Sequence, residues 1–459
     1  MSRFFQRLIF ISTLQPKINM ITRRNSIKAF AGSIAFPYLA QTSWAKSPPS
    51  EIVNHASFGG AGMAGSDLGQ IKNHPNVKIR AIAEIDPGRR RQAEQRFKGA
   101  NVYADWREML EKEGKSLDCV NVSTPDHLHA CMGMSAMQHG LHVYGQKPLT
   151  HQIAESRALT QYAKEKNLMT QMGIQIHSNS EYRTAVKIVH DGIIGKIVHA
   201  HSFSGKRWGD ANPRPNRKDP VPAGLDWDGW VGPAPFEDYI KGYYHPGQWR
   251  KRLAYGTGTF GDMGCHIYDP TFKALGLTYP ISVRSEGPEP NKDNWGFDAK
   301  IHYIFPKTPF SKGENLPVTW YDGSARPPKQ VTDLLEGQKL PSQGSVIIGT
   351  KGVMLIPHVG KPSLYPKKKF ADHKIEVVPG GNHWHEFIDA VRGAGPKPSA
   401  NFEYSGPLSE TVLLGGIASR YKNETLVWDA PTLSFKGNKE ATALVNRKYR
   451  KGWEVKGLG

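Results

Sequence analysis

Long apolar runs, paired cysteines and nucleic-acid signatures are all missing from this chain of 459 residues. Hydrophobic side chains make up 38% and charged ones 22%. No charge-free stretch reaches the roughly 20 residues that a membrane helix needs, so a bundle of membrane helices is excluded and stable membrane insertion of the mature chain is not expected. The three cysteines, Cys119, Cys131 and Cys265, are odd in number and lack CxxC spacing. That excludes a disulfide-stapled fold and marks them as buried packing residues. No zinc-finger or RNA-binding pattern accompanies the basic residues, so nucleic acid is not an expected partner. No metal is expected either, because an i, i+4 pair such as Asp262 and His266 supplies only half a zinc site.

What is present begins with charge. The formal excess is +19, but six basic residues (Arg3, Arg7, Lys17, Arg23, Arg24, Lys28) and no acidic ones lie in the first 45. Thr22-Arg23-Arg24-Asn25-Ser26-Ile27-Lys28 precedes a modestly apolar stretch, Ala29 to Ala40, and then Ser43-Trp44-Ala45 offers a cleavage site. This order looks like a twin-arginine export signal over residues 1–45, with Met20 a second candidate start. The expectation is a periplasmic or otherwise exported protein.

Beyond a Pro-containing linker, apolar strands alternate with helices. Glu51 to Phe58, Val77 to Ile85, Cys119 to Val122 and Leu141 to Tyr144 read as parallel strands buried on both faces. Helices are expected at Ala64 to Lys72, after Asp86-Pro87, at Trp106 to Lys112 and ending at Gly140. This is the pattern of a doubly wound α/β Rossmann domain, placed at residues 46–170. Past it, Trp- and Pro-rich loops and alternating segments such as Ala299 to Ile304 and Ser345 to Ile348 suit an α+β domain over 171–459 with a large, mostly antiparallel sheet. Helices near His383 to Arg392 and from Leu408 to Tyr421, opening after Pro407, close the chain.

Gly60-Ala61-Gly62-Met63-Ala64-Gly65 sits between the first strand and the first helix, where a dinucleotide phosphate loop belongs. Gly60 permits the tight turn, Gly62 the approach of the pyrophosphate, and Gly65 close helix packing, with Met63 and Ala64 opening the helix onto the phosphate. Glu84, at the end of the second strand, is placed to accept from the ribose hydroxyls and to repel a 2′-phosphate, which favours NAD over NADP. Asp86 is the competitor, better read as a helix cap, and Arg89 and Arg90 are the residues that would favour NADP.

Two further segments carry chemistry: Ser123-Thr124-Pro125-Asp126-His127-Leu128-His129 with Gly145-Gln146-Lys147-Pro148, and Gly261-Asp262-Met263-Gly264-Cys265-His266. Here the sequence resembles the glucose–fructose oxidoreductase and inositol dehydrogenase family (Gfo/Idh/MocA). Members pair a glycine loop with Thr-Pro-x-x-x-His (Thr124, Pro125, His129), Glu-Lys-Pro (Gln146, Lys147, Pro148) and Asp-x-x-x-His (Asp262, His266). The stretches around Tyr244-His245-Pro246 and Trp249-Arg250, and the ending Tyr449 to Trp453, look like its exported branch. One departure stands out: the family's usual Glu is Gln146.

The resemblance implies a nicotinamide-dependent oxidoreductase of a sugar, sugar derivative or polyol, working by hydride transfer at a secondary hydroxyl. It implies that Lys147 hydrogen-bonds the reacting oxygen, that His266 is the acid/base and that Asp262 orients it. His129 is expected to fix its loop, with Thr124, Pro125 and Gln146 beside the nicotinamide. Tyr244, His245, Trp249 and Arg250 are expected to meet the sugar, and His383, Trp384 and His385 to serve helix packing. An exported enzyme finds no nicotinamide pool outside, so the cofactor is expected to stay bound. A redox-neutral, NAD-dependent glycosidase is the alternative within enzymes, and a non-catalytic sugar-binding relative the alternative outside them. A homo-oligomer, dimer or tetramer, is expected on the second-domain sheet.

Overall fold

The computed structural model describes residues 51–459; residues 1–45, where an export signal is expected, lie outside them. Six short strands, β1 (Val53–Phe58), β2 (Val77–Ala83), β3 (Asn101–Tyr103), β4 (Cys119–Val122), β5 (His142–Gly145) and β6 (Thr170–Met172), form a wholly parallel sheet in the order β3-β2-β1-β4-β5-β6. Most of their Val, Ile and Ala side chains, among them Ala56, Ala81, Ile82, Val120, Val122 and Val143, are buried, as crossover helices on both faces require. The strand order reverses between β1 and β4. A ligand crevice therefore opens at their C-terminal ends, where Gly59 to Gly62 and Ser123 to Pro125 lie.

The helix Asp126–Gln138 is much longer than the stretch before Gly140 that the pattern indicates. Nearly all its side chains are buried, so it carries no one-sided apolar stripe from which to read a period of 3.6. A second difference concerns Pro407, which lies inside the helix Phe402–Ala418 rather than before it. Asn401 caps that helix by accepting from Glu403 N at 3.0 Å. Hydroxyls of the neighbouring helix Ile153–Glu165 satisfy its early carbonyls, Thr160 donating to Phe402 O at 3.2 Å and Ser156 to Gly406 O at 3.3 Å.

The second sheet has nine strands. They are β7 (Ile197–Ser204), β8 (Ser282–Ser285), β9 (Lys300–Pro306), β10 (Asn315–Asp322), β11 (Gln343–Gly349), β12 (Val353–Pro357), β13 (Ser363–Tyr365), β14 (Thr425–Asp429) and β15 (Ser434–Phe435), ordered β13-β12-β11-β7-β10-β9-β8-β14-β15. All pairs are antiparallel except β7 with β10. An α/β Rossmann unit followed by an α+β unit is thus the observed architecture.

The end of the chain returns to the first sheet. Arg447 Nε and Tyr449 OH both donate to Glu155 Oε1 at 2.8 Å. Tyr144 on β5 packs edge-on against Phe387 of the helix His383–Val391. His383 itself is held between Met172 O (2.9 Å) and the Ser178 hydroxyl (2.8 Å), the packing role its sequence context indicates. All three cysteines are buried, and burial pushes the thiols of Cys131 and Cys265 up to about 12. Among the described residues no helix is long and apolar enough to cross a membrane.

Candidate active site

The glycine loop borders a cavity of about 310 Å³ that also takes in Glu84, Thr124, Pro125, Gln146, Lys147, His245, Trp249 and Arg250. Its backbone is shaped for close approach. Gly62, which precedes the helix Met63–Ile71, has φ 58 and ψ −127, a conformation that only glycine adopts without strain. A Cβ on Gly60 would stand 2.9 Å from Ala93 Cβ, and one on Gly65 would stand 3.0 Å from an Arg96 guanidinium nitrogen. No side chain caps this helix and its first turn holds no acidic residue. Its free N–H groups and positive dipole end therefore face the cavity, and Met63 lines it, as a pyrophosphate requires. Ala64 is buried behind. Gly59, which the motif reading passes over, is equally constrained: its φ is 102, and a Cβ would stand 2.8 Å from Ser123 O.

Glu84 accepts from Gly60 N and Asp86 N, both at 3.0 Å, tying the loop to the end of β2. Asp86 is the cap expected of it, accepting from Gly88 N (2.8 Å) and Arg89 N (3.0 Å). Arg90 donates to the carbonyls of Glu84 and Ile85 at 2.9 Å and is not among the cavity residues, whereas Arg89 is.

Lys147, just past the end of β5, meets Asp262 of the helix Gly258–Ile267. Lys147 Nζ donates to Asp262 Oδ1 at 2.7 Å and to Asp262 O at 2.9 Å. Arg250 Nε donates to the same Oδ1 at 3.2 Å while its guanidinium stacks 4.3 Å over the Trp249 ring. Despite the cost of burial, Lys147 and Arg250 hold the Asp262 carboxyl well below the usual carboxylate range. His129 spans the Thr124 and Pro148 carbonyls, each 2.8 Å from a ring nitrogen, and so fixes the two strand-end segments together as expected.

Gln146 is accounted for by Asp67. Its Nε2 donates to Asp67 Oδ2 at 2.9 Å, and the same carboxylate accepts from Ser123 Oγ (2.7 Å) and Trp384 Nε1 (2.9 Å). Burial pushes the Asp67 carboxyl up to about 6, against these three donors. A glutamate at 146 would set two carboxylates in contact, so the negative charge absent from 146 stands on the phosphate-loop helix instead.

Two sequence assignments are corrected. Asp262 and His266 do share the helix Gly258–Ile267, but Asp262 makes its hydrogen bonds to Lys147 and Arg250; His266 Nδ1 is buried with no partner. Two cations outcompete a neutral ring for one carboxylate. Burial, then the charge of Lys147, pushes His266 well below the ordinary histidine value. It faces His358 at 5.8 Å between ring centroids, across a second, small cavity. Tyr244 is not a sugar contact: it is fully buried among Trp227, Tyr243 and Tyr255, with its hydroxyl between Arg214 and Glu237. His245 does line the cavity, as expected of a sugar contact, with its Nε2 2.8 Å from Asp86 Oδ2.

Residues 56–174 match the model of an oxidoreductase family with an NAD-binding Rossmann fold, and residues 178–309 match that family's C-terminal α/β domain. The chain belongs to the Gfo/Idh/MocA family. This family member is 28% identical over 196 residues to levoglucosan dehydrogenase of Pseudarthrobacter phenanthrenivorans, which is 42% of either chain. It is 28% identical over 134 residues to the NAD-dependent scyllo-inositol 2-dehydrogenase of Bacillus subtilis, 29% of this chain and 39% of that one. The matched segments thus span less than half the length of these relatives. A levoglucosan dehydrogenase solved with NADH and levoglucosan superposes with a TM-score of 0.57 at 19% identity, over 82% of this chain and 99% of that one. The WlbA dehydrogenase of Bordetella pertussis, solved with NADH and UDP-GlcNAcA, gives 0.59 at 15% identity, over 82% and 99%. The glycine loop lies within the stretch that matches the family's NAD-binding Rossmann fold.

Proposed function

We propose that the chain is an NAD-dependent dehydrogenase of a sugar, sugar derivative or polyol, acting at a secondary hydroxyl. The observation that carries the reading is the ion pair between Lys147, which lines the cavity with the phosphate loop, and Asp262 of the helix Gly258–Ile267.

The glycine cradle and the open helix N-terminus would hold the pyrophosphate. Glu84 would meet the adenosine ribose, with Arg90 already spent on backbone carbonyls, which favours NAD over NADP. The dinucleotide, when bound, supplies the two-electron acceptor. Lys147 would donate to the reacting oxygen and stabilise negative charge there, while Asp262 and Arg250 aim its ammonium. His266, kept neutral by burial and by Lys147, lines the second cavity rather than this one, so Lys147 is the group placed to meet the reacting hydroxyl. Trp249, with the Arg250 guanidinium stacked upon it, offers a flat surface for a sugar ring.

The reading is tested by denaturing purified protein, identifying the released dinucleotide, and following nicotinamide absorbance as sugars, polyols and aryl glycosides are added. NAD release with a sugar- or polyol-dependent change supports it. Glycoside cleavage without net reduction would favour the redox-neutral alternative, and absence of any dinucleotide, with none binding when supplied, would sink the account. Export through residues 1–45 is a separate proposal. Fractionating cells that make the full chain and one with Arg23 and Arg24 replaced by lysine tests it, periplasmic protein being expected only from the former.

A further inference from the structure

A third cavity, of about 180 Å³, lies beside the helix Gly258–Ile267 and takes in Thr257, Trp295, Arg420 and Arg447. Among its described lining residues there are two arginines and no carboxylate. Arg447 is already neutralised, since its Nε donates to Glu155 at 2.8 Å and its Nη2 to His127 O at 2.6 Å; its Nη1 is buried with no partner. Arg420, half-buried, has no counter-ion among the described residues. Its guanidinium makes no hydrogen bond or ion pair with any described residue, its Nε is buried, and its one recorded contact of this kind is the Trp295 ring at 5.4 Å. His151, also on the cavity wall, is kept neutral by burial and by the nearby arginines, so it neither offsets nor adds to the charge.

An arginine taken from water without a counter-charge is costly, and the cost is removed when an oxyanion accepts from its planar fork. We propose that this cavity is a binding site for a small oxyanion, a carboxylate or a phosphate, held by Arg420 with the open edge of Arg447. Val412, Leu413, Ile417 and Leu444 form its apolar wall, so an organic acid of a few carbons fits as well as inorganic phosphate. The site touches the catalytic helix. Thr257 Oγ1 donates to Asp126 Oδ2 at 2.6 Å, Asp126 lines the dinucleotide cavity, and Gly261 precedes Asp262. The inference stands on charge and geometry alone and does not depend on the proposed dehydrogenase activity.

Thermal unfolding of the full chain is measured in phosphate, acetate or succinate against sodium chloride of equal ionic strength. A saturable rise of about 2–5 °C is expected for at least one oxyanion, phosphate and the carboxylates distinguishing the two sources. Arg420→Gln should lose the rise, and Arg420→Lys should keep only part of it. Without oxyanion, Arg420→Gln should fold with a stability close to the parent's, since the half-buried Arg420 has no hydrogen bond or ion pair with a described residue to lose. No rise over chloride in the parent, an undiminished rise in Arg420→Gln, or an Arg420→Gln protein that is less stable or fails to fold would overturn the proposal.

Discussion

Gln146 and Asp67 face each other across the phosphate-loop helix at 2.9 Å, amide to carboxylate. The pair predicts a charge-swap pattern. Gln146→Glu places two carboxylates in contact, which forces them to share a proton, and should destabilise the fold by about 1–3 kcal/mol. Adding Asp67→Asn restores one carboxylate and one amide and should recover most of the loss. Urea unfolding of the two single variants and the double variant checks this; a double variant no better than Gln146→Glu alone would contradict it.

The same carboxylate sets a pH dependence. Asp67 is pushed from 3.8 up to about 6, first by burial. Since the folded value lies above the ordinary one, the native state holds this proton more tightly. The stabilisation is fully present below pH 3.8 and is lost as pH rises through about 6. Relative to Asp67→Asn, the parent should therefore lose up to about 3 kcal/mol between those limits. Unfolding free energies of both proteins across that range give the difference directly, and a flat difference would count against the assignment.

Much of this was legible in the sequence, for physical reasons. The phosphate loop could be read because a strand, a strained glycine turn and a helix must follow one another within a few residues. Cys119–Val122 could be read because a strand buried on both faces is mostly apolar, and its one polar residue, Asn121, is satisfied by His55 and Ser123. The helix Asp126–Gln138 hid its length for the opposite reason, being buried all round. Tyr244 was taken for a sugar contact because an aromatic near histidine and arginine looks the same in sequence whether it stacks on a ligand or on Trp227. The partners of Asp262 were out of reach: i, i+4 spacing finds His266 on its own helix, while the bond to Lys147 spans 115 residues. The signal that could have found it is that Lys147 and Asp262 each sit in a segment carrying the family resemblance, Gly145 to Pro148 and Gly261 to His266.

Gly62→Ala should weaken dinucleotide binding without unfolding the protein. The left-handed backbone costs an alanine about 1–3 kcal/mol, and the loop would relax away from the cradle to avoid it. Calorimetric titration with NAD is expected to show affinity lowered by roughly tenfold or more. Unchanged affinity would mean that the loop does not contact the cofactor.

Arg250→Met removes one of the two cations on Asp262 and strips the charge from the Trp249 face. Substrate turnover should fall by about ten- to a hundredfold in kcat/KM, with NAD affinity close to the parent's, since Arg250 acts at the Lys147 end of the cavity. Equal losses in both quantities would make Arg250 a structural residue.

The most direct test of the central claim is Lys147→Met, assayed for bound dinucleotide and for turnover on the same sample. The account predicts that the variant still carries or binds NAD, because the glycine cradle is intact, and that nicotinamide reduction by the parent's best sugar or polyol falls at least a thousandfold. Turnover near the parent's value, with cofactor bound, would contradict it.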